Sequence, residues 1–142
     1  MTAADTRMKA SARRDGESFR HTVRVRDHQL TVDEPLAKGG QDTGPDPQEL
    51  LAVSLASCTA ITMEMYAVRK GWDIGRVEVE VEYTPSERGC PTKFELVMRL
   101  PEDVPEEQVE RLRAIAAKCP VHRALDGEVM FSERIQRVHM AA

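Results

Sequence analysis

An α+β fold, with antiparallel strand pairs packed on a long buried helix that carries Cys58, follows from three features of the sequence. Residues 76–83 and 93–100 alternate apolar and polar side chains with the period of two that marks a half-buried strand. Residues 50–63 are fourteen uncharged positions in a row, in a chain of which 31% is charged. Stretches dense in Gly and Pro, such as 33–45 and 84–92, separate these segments and read as loops.

The 142 residues suit a single domain with its own core, since domains cluster at roughly 100–150 residues. A net charge of −4 leaves no basic excess to neutralise phosphates, which argues against nucleic acid as a partner. Aromatic residues make up only 4%, so the core falls to Val, Leu, Ile, Met and Ala. The first residues lack the apolar run of a secretory signal, and a cytoplasmic location is expected. The run at 50–63 meets Glu64 before reaching the ~20 residues of a spanning helix, so no membrane is expected either. Three cysteines are too few and too odd in number for a disulfide scaffold and are expected as thiols.

Taken in order, residues 1–16 are expected to be a disordered tail and 17–142 one domain. Phe19, His21, Val23 and Val25 alternate with Thr22 and three arginines, giving a strand that pairs with 30–32 across a turn at 26–28. Asp46-Pro47-Gln48-Glu49 is a complete helix start. Asp46 is placed to cap, Pro47 takes the first turn, and Glu49 reaches back in a capping box. That helix is expected to run from 47 to about 70, enclosed on all sides between 50 and 63, and to stop at Gly71. After the hairpin at 76–100, Pro105 opens a helix over 105–118 with Val109, Leu112, Ile115 and Ala116 as its buried stripe. Cys119-Pro120 breaks it and starts a short helix to Asp126, and 129–138 is expected as a final strand.

Two thiols stand out. A buried Cys is most often a small hydrophobe, and burial alone raises its pKa above roughly 8.5. Cys58 lies eleven residues past Pro47, about 16 Å along the helix, too far for the dipole to help. A reactive Cys58 therefore demands a basic partner from another segment. Cys119, ahead of a proline at the first helical position, becomes an N-cap, where free N–H groups favour a thiolate directly. Cys90 sits in a polar turn and reads as an incidental surface thiol. Cys119 and His122 share a C-x-x-H spacing, but no second ligand pair completes a zinc site, and no metal is expected. Neither a G-x-S-x-G elbow nor a phosphate-binding glycine fingerprint occurs.

"GPDPQELLAVSLASCTAITMEMYAVRKGW", followed by "KCPVHRAL", resembles the OsmC/Ohr family of thiol peroxidases. The resemblance implies that Cys58 is the peroxidatic thiol and Cys119 the resolving one. It also implies two chains intertwined as a homodimer with the active sites at the interface. The implied chemistry is reduction of an organic hydroperoxide through a Cys58 sulfenic acid and a Cys58–Cys119 disulfide, recycled by an external dithiol without a cofactor. Leu51, Leu55, Ile61 and Thr62 are expected to line the substrate pocket, with His122 near it. The family places a Glu directly after the helix-opening Pro, to orient a catalytic Arg. Here that position is Gln48, and Glu49 is accounted for by the capping box. The implied arginine is Arg26 at the first hairpin turn; in the other branch of the family its place falls in the loop holding Lys38. His28 is a further polar group near the expected site. A non-catalytic member of the fold, binding a small thiol or lipid-like ligand in the same apolar pocket, is the alternative.

Overall fold

The computed structural model describes residues 6–140. Residues 6–54 and 81–96 form one compact unit, and 55–80 and 97–140 form another. Antiparallel strands and three helices make up the mixed α+β fold that the sequence predicts.

The first unit is built on a three-stranded antiparallel sheet of β1 (Ser11–Arg14), β2 (His21–Val25) and β3 (His28–Val32), in that order. The expected hairpin is present, and Arg26 turns it in the left-handed conformation at φ 53°. β1 corrects the expected disordered tail over residues 11–14, while residues 1–5 lie outside the described part. It pairs with β2 from Ser11 opposite Arg24 to Arg14 opposite His21, so cross-strand bonding makes a strand where the local sequence shows no pattern.

Beyond β3 the loop is organised by Asp33, which is 1% exposed. Its carboxylate accepts hydrogen bonds from the N–H groups of Glu34 (2.8 Å), Gln41 (3.3 Å) and Thr43 (3.1 Å) and from the Thr43 hydroxyl (2.6 Å). The Asp33 N–H donates to Pro45 O, closing the loop at its base. Gly40 packs against the Glu34 carbonyl so tightly that any Cβ would overlap it.

Helix α1 (Pro47–Lys70) starts as the sequence dictates. Asp46 Oδ1 accepts the Glu49 N–H at 2.7 Å, and Glu49 Oε1 accepts the Asp46 N–H at 2.9 Å, a reciprocal capping box. Its enclosure is not what the sequence predicts. Leu55, Thr59, Met63, Tyr66 and Ala67 form one buried stripe, whereas Val53, Ile61, Met65 and Val68 stay more than half exposed because one chain covers only one side of the helix. By length and composition alone α1 meets the measure of a spanning helix, Glu64 notwithstanding. The core helix of a soluble protein meets the same measure, and α1 buries one stripe of its surface.

β4 (Glu78–Thr84) and β5 (Lys93–Arg99) pair as a two-stranded sheet with the strict in-out alternation expected. Helix α2 (Glu106–Ala116) buries Leu112, Ile115 and Ala116, as its stripe predicts. In the second unit these side chains join Met63, Tyr66, Ala67, Ile74 and Val104 in one core. Each fully buried aliphatic side chain there contributes about 1.5–3 kcal/mol. Helix α3 (Pro120–Asp126) follows at once. The expected strand at 129–138 is absent. The segment carries no regular structure, and Val129, Met130, Phe131, Ile135 and Val138 are exposed; among the described residues no strand supplies a ladder for it.

Because donors crowd its carboxylate, the Thr43 hydroxyl first among them, Asp33 is held below the ordinary carboxylate pKa despite burial. A depressed folded-state pKa contributes stability above the unfolded value that is lost as pH falls through the folded one. Asp33→Asn is therefore expected to lower the Tm most near neutral pH, with the difference from wild type shrinking in acid, as measured by thermal melts across pH 2–7.

Candidate functional site

The thiol site lies wholly in the second unit and is made by two local devices. On α1, Leu51, Leu55, Cys58 and Thr62 follow at i, i+4, i+7 and i+11 and so share one helical face. At the other device, Pro120 cannot extend α2, and the residue before a proline is pushed out of the helical region. Cys119 accordingly adopts φ −55° and ψ 132°, outside both helices, as the N-cap of α3. Its side chain is fully buried, and that of Cys58 is half-buried.

The Cys58 and Cys119 thiols lie near enough to act on each other electrostatically, and both cysteines are free. Burial pushes the Cys58 thiol above its ordinary pKa, and the neighbouring Cys119 adds to the rise. The Val121 N–H and the Thr62 hydroxyl oppose it. Burial pushes Cys119 up as well, but the Cys58 thiol, the N–H groups of His122 and Val121, and the Thr59 hydroxyl together bring it below its ordinary value. Those N–H groups make no formal cap on the sulfur, so their help is electrostatic. Of the two thiols, Cys119 is thus the one whose surroundings favour the anion.

The positions predicted from sequence divide between the units. Cys58, Cys119, Leu55, Ile61, Thr62 and His122 fall in the second, and Arg26, Lys38, Gln48 and Leu51 in the first. Leu55 is buried in the α1 stripe, Thr62 faces the Cys58 sulfur, and Ile61 is 54% exposed. His122 brings its backbone N–H toward Cys119. Arg26, Lys38 and Gln48 are exposed, as is His28 at the start of β3. Burial weighs most on both thiols; against it stand the Val121 N–H and Thr62 hydroxyl at Cys58, and the Cys58 thiol, the His122 and Val121 N–H groups and the Thr59 hydroxyl at Cys119. A cavity of about 790 Å³ lined by Phe19, Val23, Val32 and Leu50, with Lys38 at its edge, belongs to the first unit and includes none of the four predicted lining residues. Cys90 is exposed in the turn after β4, bridged through its backbone to Glu87. Among the described residues no three His, Cys, Asp or Glu side chains gather as metal ligands.

Thr59 is the residue that sequence reasoning missed. It is 0% exposed, and its hydroxyl donates to Leu55 O at 2.8 Å while lying within reach of the Cys119 sulfur. One hydroxyl proton thus has two acceptors. The signal was available: a hydroxyl one position beyond Cys58 and four beyond Leu55, inside an otherwise apolar stripe. Thr59→Val, nearly equal in shape, is expected to raise the Cys119 pKa and Thr59→Ser to restore it. The check is the pH profile of Cys119 alkylation in a Cys58→Ser background.

The OsmC-like protein family matches residues 39–134, a span that takes in both motif cysteines. No curated protein matches the chain. Among solved structures, an OsmC like protein from Mycoplasma pneumoniae is similar with a TM-score of 0.72 at 21% identity, over 87% of this chain and 90% of that one. The organic hydroperoxide resistance protein OhrB of Bacillus subtilis is similar with a TM-score of 0.59 at 25% identity, over 87% and 93%. An organic hydroperoxide resistance protein OsmC from Legionella pneumophila gives 0.62 at 22%, over 88% and 93%. With the family matched over most of the chain, and the fold shared with these structures, the chain belongs to the OsmC/Ohr family of OsmC-like proteins.

Proposed function

We propose that the protein is a cysteine peroxidase that reduces organic hydroperoxides, with Cys58 as the attacking thiol and Cys119 as the resolving one. The observation that carries this reading is the contact between two thiols from separate motifs, one half-buried and one fully buried. The names of the Bacillus subtilis and Legionella pneumophila relatives supply the substrate class.

In the reactive form the thiol pair holds one proton, carried by Cys119, and Cys58 is the thiolate. The Cys58 thiolate attacks the outer peroxide oxygen, the O–O bond breaks, and an alkoxide leaves; Cys58 is now a sulfenic acid, and the Cys119 thiol returns its proton to the alkoxide. The Cys119 thiolate then attacks the Cys58 sulfur and expels hydroxide, closing the disulfide. Peroxide has gained two electrons and the thiol pair has lost them. An external dithiol restores the pair by exchange, a recycling step that suits a reducing compartment such as the cytoplasm. No cofactor enters. Neutral donors favour the anion; for Arg26 and Gln48 the peroxide-orienting role is the one the family resemblance implies.

The assembly proposed for this activity is a homodimer. The uncovered side of α1, with Ile61, Met65 and Val68 exposed, and the unpaired apolar segment at 129–138 supply surface for it. Light scattering on the purified protein is expected to give twice the chain mass; a monomer at micromolar concentration would remove this part.

One observation favours the binding alternative: the raised pKa of Cys58, which slows a thiol that must act alone. Stopped-flow consumption of cumene hydroperoxide separates the two. For the enzyme, fast consumption is lost in Cys58→Ser, and peroxide leaves an intrachain 58–119 disulfide in the wild type but over-oxidised Cys58 in Cys119→Ser. Slow consumption, indifferent to Cys58→Ser, selects the binder, and a disulfide through Cys90 would reassign the resolving thiol.

A further inference from the structure

The sheet of the first unit carries a second chemistry on the face away from its apolar side chains. Directly paired residues share a face, and the register sets Ser11, Arg24 and Gln29 in one cross-strand row and Arg13, Thr22 and Thr31 in the next. Arg13 and Arg24 are therefore diagonal neighbours, about 7–8 Å apart at the backbone. Together with Arg14 they border a depression of about 700 Å³.

Among the described residues no carboxylate pairs with Arg13, Arg14 or Arg24. Arg14 uses only its Nε, on Gly16 O. The single acid at the depression, Asp15, is already engaged by Arg20 Nε at 2.9 Å and by the Thr22 hydroxyl. The β4–β5 sheet of the same chain treats its charges differently. There Arg99 reaches Glu78 at 3.8 Å and Glu80 at 3.5 Å, and Lys93 pairs with Glu95 at 2.9 Å. In a chain of net charge −4, residues 6–32 hold seven Lys and Arg against three Asp and Glu. Like charges set side by side on a sheet are destabilising, and among the described residues no carboxylate offsets them at Arg13 and Arg24.

We propose that this face binds a small phosphate-bearing anion, gripped by the guanidinium forks of Arg13 and Arg24, with Arg14 at the rim and Ser11 and Gln29 as neutral donors. Guanidinium groups present parallel N–H pairs that match phosphate oxygens, and their charge persists at any working pH. The depression has no aromatic wall on which a base could stack, so a nucleic-acid strand fits it poorly. This site is independent of the thiols and of the peroxidase reading.

Isothermal titration of the full chain with pyrophosphate at low ionic strength tests the assignment. Saturable binding is expected in the wild type and in Cys58→Ser alike, weakened about tenfold or more in Arg13→Gln/Arg24→Gln. Arg113→Gln, an exposed arginine on α2 that does not border the depression, is expected to bind within about twofold of the wild type. Amide resonances in β1, β2 and β3 are expected to move on adding pyrophosphate to the wild type, which tests the site without any substitution. Absence of saturable binding, an equal loss in Arg113→Gln, or shifts confined to other residues would overturn it.

Discussion

A single break in the chain governs the thiol site. Pro120 has no N–H to continue α2 and forces Cys119 into an extended conformation, so the sulfur leaves both helical surfaces and turns inward toward Cys58. Were residue 120 an ordinary helix former, residues 106–126 could run on as one helix, and Cys119 would follow its rotation instead of facing α1. The Cys119 N–H still finds Ala116 O at 3.3 Å, so the break leaves that backbone donor satisfied. What the break achieves is a buried thiol set among donors. Negative charge in a desolvated place must be met by donors, and here a thiol, two backbone amides and a hydroxyl favour the anion at Cys119.

Much of this was legible in the sequence because it rests on local rules. The capping box of Asp46 and Glu49, the stop at Gly71, the alternation along β4 and β5 and the proline between α2 and α3 each need only a few neighbouring residues to be specified. Those parts formed as read. The failures share the opposite property. Ser11–Arg14 is a strand only because β2 lies beside it, and residues 129–138 lack a strand for want of such a neighbour. Apolar pattern shows what could be buried, and which surface covers it is decided at long range. That is why α1, apolar on every side by composition, buries only the stripe through Leu55, Thr59 and Met63.

The same limit applies to the site. Two motifs single out Cys58 and Cys119 as candidates, yet the donor set around them comes from a hydroxyl hidden in an apolar run and from amides that no sequence pattern displays. Sequence reasoning looked for a formal charge because formal charges are visible as letters. Backbone N–H groups are present at nearly every residue, and only the fold decides which of them converge.

Trp72 is the only tryptophan in the chain, and its ring stands edge-on to Tyr66 with centroids 5.6 Å apart, at the end of α1 that runs on from Cys58. Tyr83, the only other tyrosine, stacks instead on Phe94 in the other unit. Indole fluorescence therefore reports on one half of the molecule alone. Excitation passed from Tyr66 to its neighbour gives a built-in optical gauge of the second unit's core, readable without any attached dye.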